Sequence, residues 1–246
     1  MDLTLWGWAA ALLAAVLVGM SKGGLPVVGM LAVPILALVM SPVQAAGLLL
    51  PVYVVSDMFG LYAYRKAFDA QVLKILVLPS ALGVAVGWAT ASLVPENLVG
   101  GLVGTIGVAF ALNALLRRPV EGPPVKPKLL PGIFWGTISG FTSFVSHSGA
   151  PPYQVYVLPL RLEKAVFAGT STILFAWINA VKLIPYYALG QLTLDSVEVA
   201  AMLMLPAAAA VFLGVWLTKV LPTKLFFKLV LWALLAVSLR LVWEAF

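Results

Sequence analysis

Long apolar segments, almost free of charge, leave this chain little choice of fold. The first half carries Leu3–Val18, Val27–Met40, Val43–Tyr64, Val72–Leu93 and Leu98–Leu116. The second carries Leu129–Val145, Tyr153–Leu160, Ala165–Leu189, Val197–Leu217 and Leu225–Trp243. The hydrocarbon core of a bilayer takes roughly 20 apolar residues as a helix, and backbone groups inside it must find partners within the protein. Of the 246 residues, 63% are hydrophobic and 10% charged, whereas a soluble domain carries about 25% charged residues. The expected fold is therefore an all-α polytopic membrane protein, with the lipid bilayer as its main partner. Ser21-Lys22-Gly23-Gly24 follows the first segment where a small-residue cleavage site would stand in a signal peptide, so that segment is expected to stay.

The chain also resembles itself. A shift of 125 residues brings Ser21 onto Ser146, Gly24 onto Gly149, Pro26 onto Pro151, Pro34 onto Pro159 and Tyr62 onto Tyr187. A shift of 127 brings Pro79 onto Pro206, Gly87 onto Gly214 and Pro95 onto Pro222. An ordered run of matches at a fixed period marks an internal repeat. The expected units are residues 1–116 and 129–246, joined by a cytoplasmic linker over 117–128. Basic residues cluster at Arg65, Lys66 and Lys74, in the linker, at Arg161 to Lys164, and at Lys219, Lys224 and Lys228. The loops around Asn97 and around Gln191 are not basic. Cytoplasmic loops carry the excess of Lys and Arg, so corresponding loops of the two halves face opposite sides and the repeats are expected to be inverted. Val27–Met40 and Tyr153–Leu160 are too short to span comfortably. Each half is therefore expected to hold a short re-entrant or broken helical hairpin plus three transmembrane helices, six crossings in all, with both termini outside. Arg240, near the outer end of the last helix, is the one exception to the charge pattern and can snorkel.

The net charge of +6 follows from those loops and needs no nucleic acid. The chain has no cysteine and a single histidine, His147, which removes disulfides, thiolate metal sites and bis-histidine haem. No metal or cofactor is expected, and no nucleotide-binding motif offers direct ATP drive. An enzyme would need a nucleophile or metal site that this inventory supplies thinly.

The chemistry concentrates at the hairpin tips, Ser21-Lys22-Gly23-Gly24-Leu25-Pro26 and Ser146-His147-Ser148-Gly149-Ala150-Pro151-Pro152. Irregular backbone at membrane depth survives where it is buried in protein or lines a cavity. A helix N-terminus after each tip favours an anion, and Lys22 and His147 place a basic group at matching positions. The candidate binding residues are Ser21, Lys22, Gly23, Gly24, Ser146, His147, Ser148, Gly149, Gln154, Thr170 and Asn179. Asp57 and Lys182, a buried acid and base 125 residues apart, are expected to pair near the axis, as a structural ion pair or as a gate or proton-linked switch.

The second tip with Tyr153-Gln154-Val155-Tyr156-Val157-Leu158-Pro159 and Val166-Phe167-Ala168-Gly169-Thr170 resembles the sulfite exporter TauE/SafE family. So does Gly19-Met20-Ser21-Lys22-Gly23-Gly24 with Val33-Pro34. The resemblance implies a permease of the bacterial inner membrane for sulfite, sulfonates or related organic anions, usually working outward; protons are a candidate coupling ion through Asp57 and Lys182. Import, channel-like conduction and a non-transporting role are the competing expectations.

Overall fold

The protein is described by a computed structural model covering residues 3–23, 25, 28–116, 123–220 and 223–245. Gly24, Pro26 and residues 117–122 of the linker, with Arg117 and Arg118, lie outside the described residues. Among the described residues every element is helical. Helix α1 spans Leu5–Lys22. A 3₁₀ turn, Val28–Leu31, and the short α2, Ala32–Leu36, lead into α3, Pro42–Tyr64. Then follow α4, Ala70–Ala91, and α5, Glu96–Leu116. The second half opens with α6, Leu129–Ser146, and α7, Ala150–Val157, which ends in a 3₁₀ turn at Leu158–Leu160. It closes with α8, Lys164–Ala188, α9, Leu194–Val220, and α10, Thr223–Ala245.

Local signals set the starts. Thr4 Oγ1 accepts from the Gly7 N–H at 3.2 Å, Ser41 Oγ from Gln44 N–H at 3.2 Å, and Asp69 Oδ1 from Val72 N–H at 2.9 Å, each satisfying a donor that the first helical turn leaves open. Leu78, Leu130, Leu205, Phe212 and Trp243 are exposed, as lipid-facing side chains should be. Helices α1, α3, α4, α5, α6, α8 and α9 are each long and apolar enough to cross a membrane.

The six expected crossings correspond to α3, α4, α5, α8, α9 and α10, and α1 and α6 are the first arms of the two expected hairpins. Each is an 18-residue helix, about 27 Å long at 1.5 Å per residue, so neither is a short arm. The short elements are α2 and α7, where proline breaks the run. Pro34 stands in α2, and Pro151 and Pro152 open α7.

The main helix pairings are unchanged when the halves are exchanged. Helix α4 packs most closely on α6, and its counterpart α9 on α1. Helix α3 packs on α8, and α5 on α10. Glycines make the closest of these approaches possible. A Cβ on Gly140 would stand 1.9 Å from the Ser80 carbonyl oxygen, and one on Gly19 2.0 Å from that of Ala207. The connections gather at two ends. At one, the Asp69 N–H donates to Thr170 Oγ1 at 2.9 Å, Val125 N–H to Pro159 O at 3.2 Å, and Tyr156 Oη–H to Lys128 O at 3.0 Å. This end thus collects the basic stretches after α3, before α6 and after α7. At the other end, Gly47 packs against the Gln191 carbonyl and Gly100 against Pro42.

Candidate functional site

The last turns of α1 and α6 bring Lys22 and His147 to the same ring. The imidazole of His147 stacks on Tyr53 with centroids 4.6 Å apart, and the Lys22 ammonium lies 5.4 Å from the Tyr53 centroid. Tyr53 and Asp57 stand four residues apart on α3, so they share a face. The same rule sets Ser143 beside His147 on α6 and Asn179 near Lys182 on α8. Tyr53 is itself fixed by donating to Gly29 O at 3.0 Å.

Two hydrogen-bonded groups result. Asp57 pairs with Lys22 through Oδ1 and accepts from Asn179 Nδ2 on Oδ2 at 2.6 Å. Lys182, wholly buried, donates to Ser143 O at 3.1 Å, to Ser143 Oγ at 3.2 Å and to His147 Nδ1 at 2.6 Å. Three acceptors match the three protons of an ammonium. His147 Nε2 lies 2.9 Å from Ala46 O. A carbonyl only accepts, so Nε2 carries a hydrogen and Nδ1 takes the one from Lys182: the bonds describe a neutral imidazole. His147 adopts φ of 54° at the C-terminus of α6, a place glycine usually takes. The two bonds to its ring hold it there.

The expected Asp57–Lys182 pair is thereby corrected. Each residue instead contacts the tip of its own half, Asp57 through Lys22 and Lys182 through His147, both across 35 positions of sequence. A direct acid–base pair on the axis loses to two shorter reaches. Asp57 neutralises Lys22, while Lys182 has no carboxylate in salt-bridge contact among the described residues, so the charges sum to one positive when Lys182 is in its ammonium form.

A cavity of about 470 Å³ lies against this cluster, and Ser21, Lys22, Tyr53, Ser143, His147 and Asn179 form its inner wall. Gln154, on α7, also faces it, and Arg161 and Leu162 line it where α7 gives way to α8. Several expected site residues turn elsewhere. Gly23 closes α1, its N–H bonded to Gly19 O and Met20 O at 3.1 Å each. Ser146 Oγ donates to Thr142 O at 3.3 Å and Ser148 Oγ to Ser146 O at 3.2 Å. Gly149 accepts from Ser139 Oγ at 2.7 Å, and Thr170 bonds Val166 O at 2.7 Å while capping Asp69. Pro151 and Pro152 have no N–H, so the first turn of α7 offers an anion fewer backbone donors than expected, and side chains must serve. The sequence reading passed over Tyr53, Ser143, Phe167 and Phe175. The first two were signalled by their four-residue spacing from Asp57 and His147. Among the described residues, no cluster of His, Asp and Glu suits a metal.

Long apolar helices around a buried cluster of ionisable side chains and a cavity define a polytopic membrane protein. The family model for the sulfite exporter TauE/SafE matches residues 9–241, so the chain belongs to that family of membrane transporters. Searches of curated proteins and of solved structures found no match.

Proposed function

We propose that this protein is a secondary permease that exports a small anion, a sulfur oxyanion, sulfonate or related organic anion, across the bacterial inner membrane. The observation that carries the reading is the meeting of both tips at one cavity, which Lys22 and His147 line while their partners Asp57 and Lys182 stand behind them. A buried charge is costly in a membrane and marks transport paths. An anion at this place is attracted by Lys182 in its ammonium form and contacted by Lys22, Gln154 and Asn179. Protons are the coupling ion the site suits, because the hydrogen bond between Lys182 and His147 is a place to hold one.

Inverted repeats supply the motion. The helix pairings that survive exchange of the halves support this reading, and so does the collection of basic stretches at one end, which the positive-inside rule makes cytoplasmic. Both termini then lie outside. The cavity reaches exposed Arg161 and Leu158 at the cytoplasmic end. The matching positions of the first half, Val33 and Leu36, are buried, as are Leu25, Val28, Ala46 and Leu50. One path is open and its counterpart sealed, which favours alternating access over a channel.

The test is flux in liposomes containing purified protein, with sulfite and methanesulfonate as trial solutes. Saturable flux that disappears in Lys22→Gln is the expected result. Flux of neither anion, from protein whose helical fold is intact by circular dichroism, would overturn the anion-permease reading for these classes.

A further inference from the structure

The cavity is a slot that runs the length of α7, whose Ala150, Tyr153, Gln154, Val157 and Leu158 line it at helical spacing. The helical stretch from 150 to 160 rises about 18 Å, so the slot joins the tip at His147 to the cytoplasmic mouth at Arg161. Among the described residues, two that are not glycine hold positive φ, His147 at 54° and Arg161 at 52°. Both are basic, both line the slot, and together they bracket α7. A left-handed backbone is costly for a residue with a Cβ, and glycine usually takes such a place after a helical turn. Other residues held there gather at functional sites. The Arg161 N–H donates to Leu158 O at 3.1 Å, a bond that glycine would make equally well, so the backbone does not ask for an arginine.

Sidedness does not ask for one either. Arg65, Lys66, Lys74, Lys126 and Lys128 meet the positive-inside pattern at the same end, and none of them lines the slot. The carboxylates Asp69 and Glu163, also at that end, do not line it. In the first half the position equivalent to Arg161 is Leu36, buried in α2. The arginine therefore belongs to the open path and has no counterpart on the sealed one. We propose that Arg161 is the entry residue of the permease. Exposed at the mouth, it collects the anion from the cytoplasm, and Gln154, midway in sequence between Arg161 and His147, marks the route to the tip. A cation at the rim of a low-dielectric cleft raises the local concentration of anions and their rate of entry. This rests on the anion-permease reading of the same cavity and adds how the cavity is loaded.

The test is uptake of methanesulfonate and sulfite by inside-out membrane vesicles, whose medium faces the cytoplasmic mouth, with vesicles lacking the protein as the blank. Raising the ionic strength from about 0.01 M to about 0.15 M shortens the Debye length from about 30 Å to about 8 Å, and should raise the parent KM severalfold. Arg161→Gln should raise KM about fivefold to tenfold at low salt and flatten its salt dependence, with kcat little changed. Arg161→Lys keeps the charge and should stay close to the parent. Arg161→Gly suits the left-handed backbone, so it should fold at least as well as Arg161→Gln while showing the same KM and the same flat salt dependence. That variant keeps the test decisive if Arg161→Gln folds poorly. Parent-like KM and salt dependence in both the Gln and the Gly variants, with uptake still lost in Lys22→Gln, overturn the entry role and leave the anion site standing. A fall in kcat at unchanged KM in both makes Arg161 structural and overturns the role as well. Absence of any Lys22-dependent uptake of either anion overturns the permease reading and the entry residue with it.

Discussion

Asp57 accepts from two directions, Lys22 from its own half and Asn179 from the other, with 3% of its side chain exposed against 12% for Lys22. Removing one member of a buried pair strands the other, at a cost of about 3–5 kcal/mol, whereas removing both strands neither. Lys22→Met and Asp57→Asn should each lower the unfolding temperature in detergent more than the double variant does. Strict additivity in that cycle would mean that the residues do not interact. Lys182 and His147 should part company in a different way. Gln at 147 can still accept from Lys182 and donate to Ala46, so His147→Gln should keep anion affinity within about threefold, judged by what neutral hydrogen bonds contribute. Lys182→Met removes the surplus charge and should weaken binding by at least about tenfold, given the strength of charge interactions away from bulk water. Titration calorimetry with methanesulfonate checks both. The sequence pointed to Lys22, His147, Asp57 and Lys182 because ionisable groups are rare in apolar segments. It did not reveal their partners, because the repeat matches Lys22 with His147 and Asp57 with Lys182 across 125 positions, whereas the contacts run across 35.

Among the elements, α4 and α6 touch backbone to backbone. Gly140→Ala would set a methyl 1.9 Å from Ser80 O, and Gly83→Ala one 2.0 Å from Thr137 O. Both helices must then separate, so each change should destabilise by about 1–3 kcal/mol, the range for overpacking. Gly100→Ala is the contrast. Its methyl would meet only the Pro42 ring at 3.6 Å, and an unstrained alanine in a helix should be neutral or stabilising by about 0.4–1 kcal/mol. Thermal melts of the three variants check this, and equal losses would show that the close approach does not matter. The long helices were legible because a lipid core enforces their length and composition. The extent of α1 and α6 was less so. Polar Ser21 and Lys22 and Ser146 extend them beyond the apolar runs that end at Val18 and Val145, and hydropathy alone stops short where a helix end is buried in protein.

At the scale of the molecule, the open slot and its sealed counterpart predict which positions change surroundings during transport. The chain has no cysteine, so single introduced ones report cleanly. Leu162→Cys should react with a membrane-impermeant thiol reagent from the side of Lys126. Ala46→Cys, at a buried position equivalent to slot-lining Ser171, should react from the opposite side, and only while substrate is being moved. Labelling of both from one side would contradict the inverted arrangement. The contacts at the tips also have an arithmetic consequence. Helix pairings that survive exchange of the halves mean that, were the halves identical, every ionisable group at their junction would occur twice. The charge there would then be even: zero, two or four. With Lys182 in its ammonium form, the set found here, Lys22 with Asp57 opposed to neutral His147 with Lys182, is odd. A pair of separate identical subunits could not supply it. Joining the halves in one chain lets each diverge, and a site of unit charge becomes available at the meeting point of two nearly matching structures.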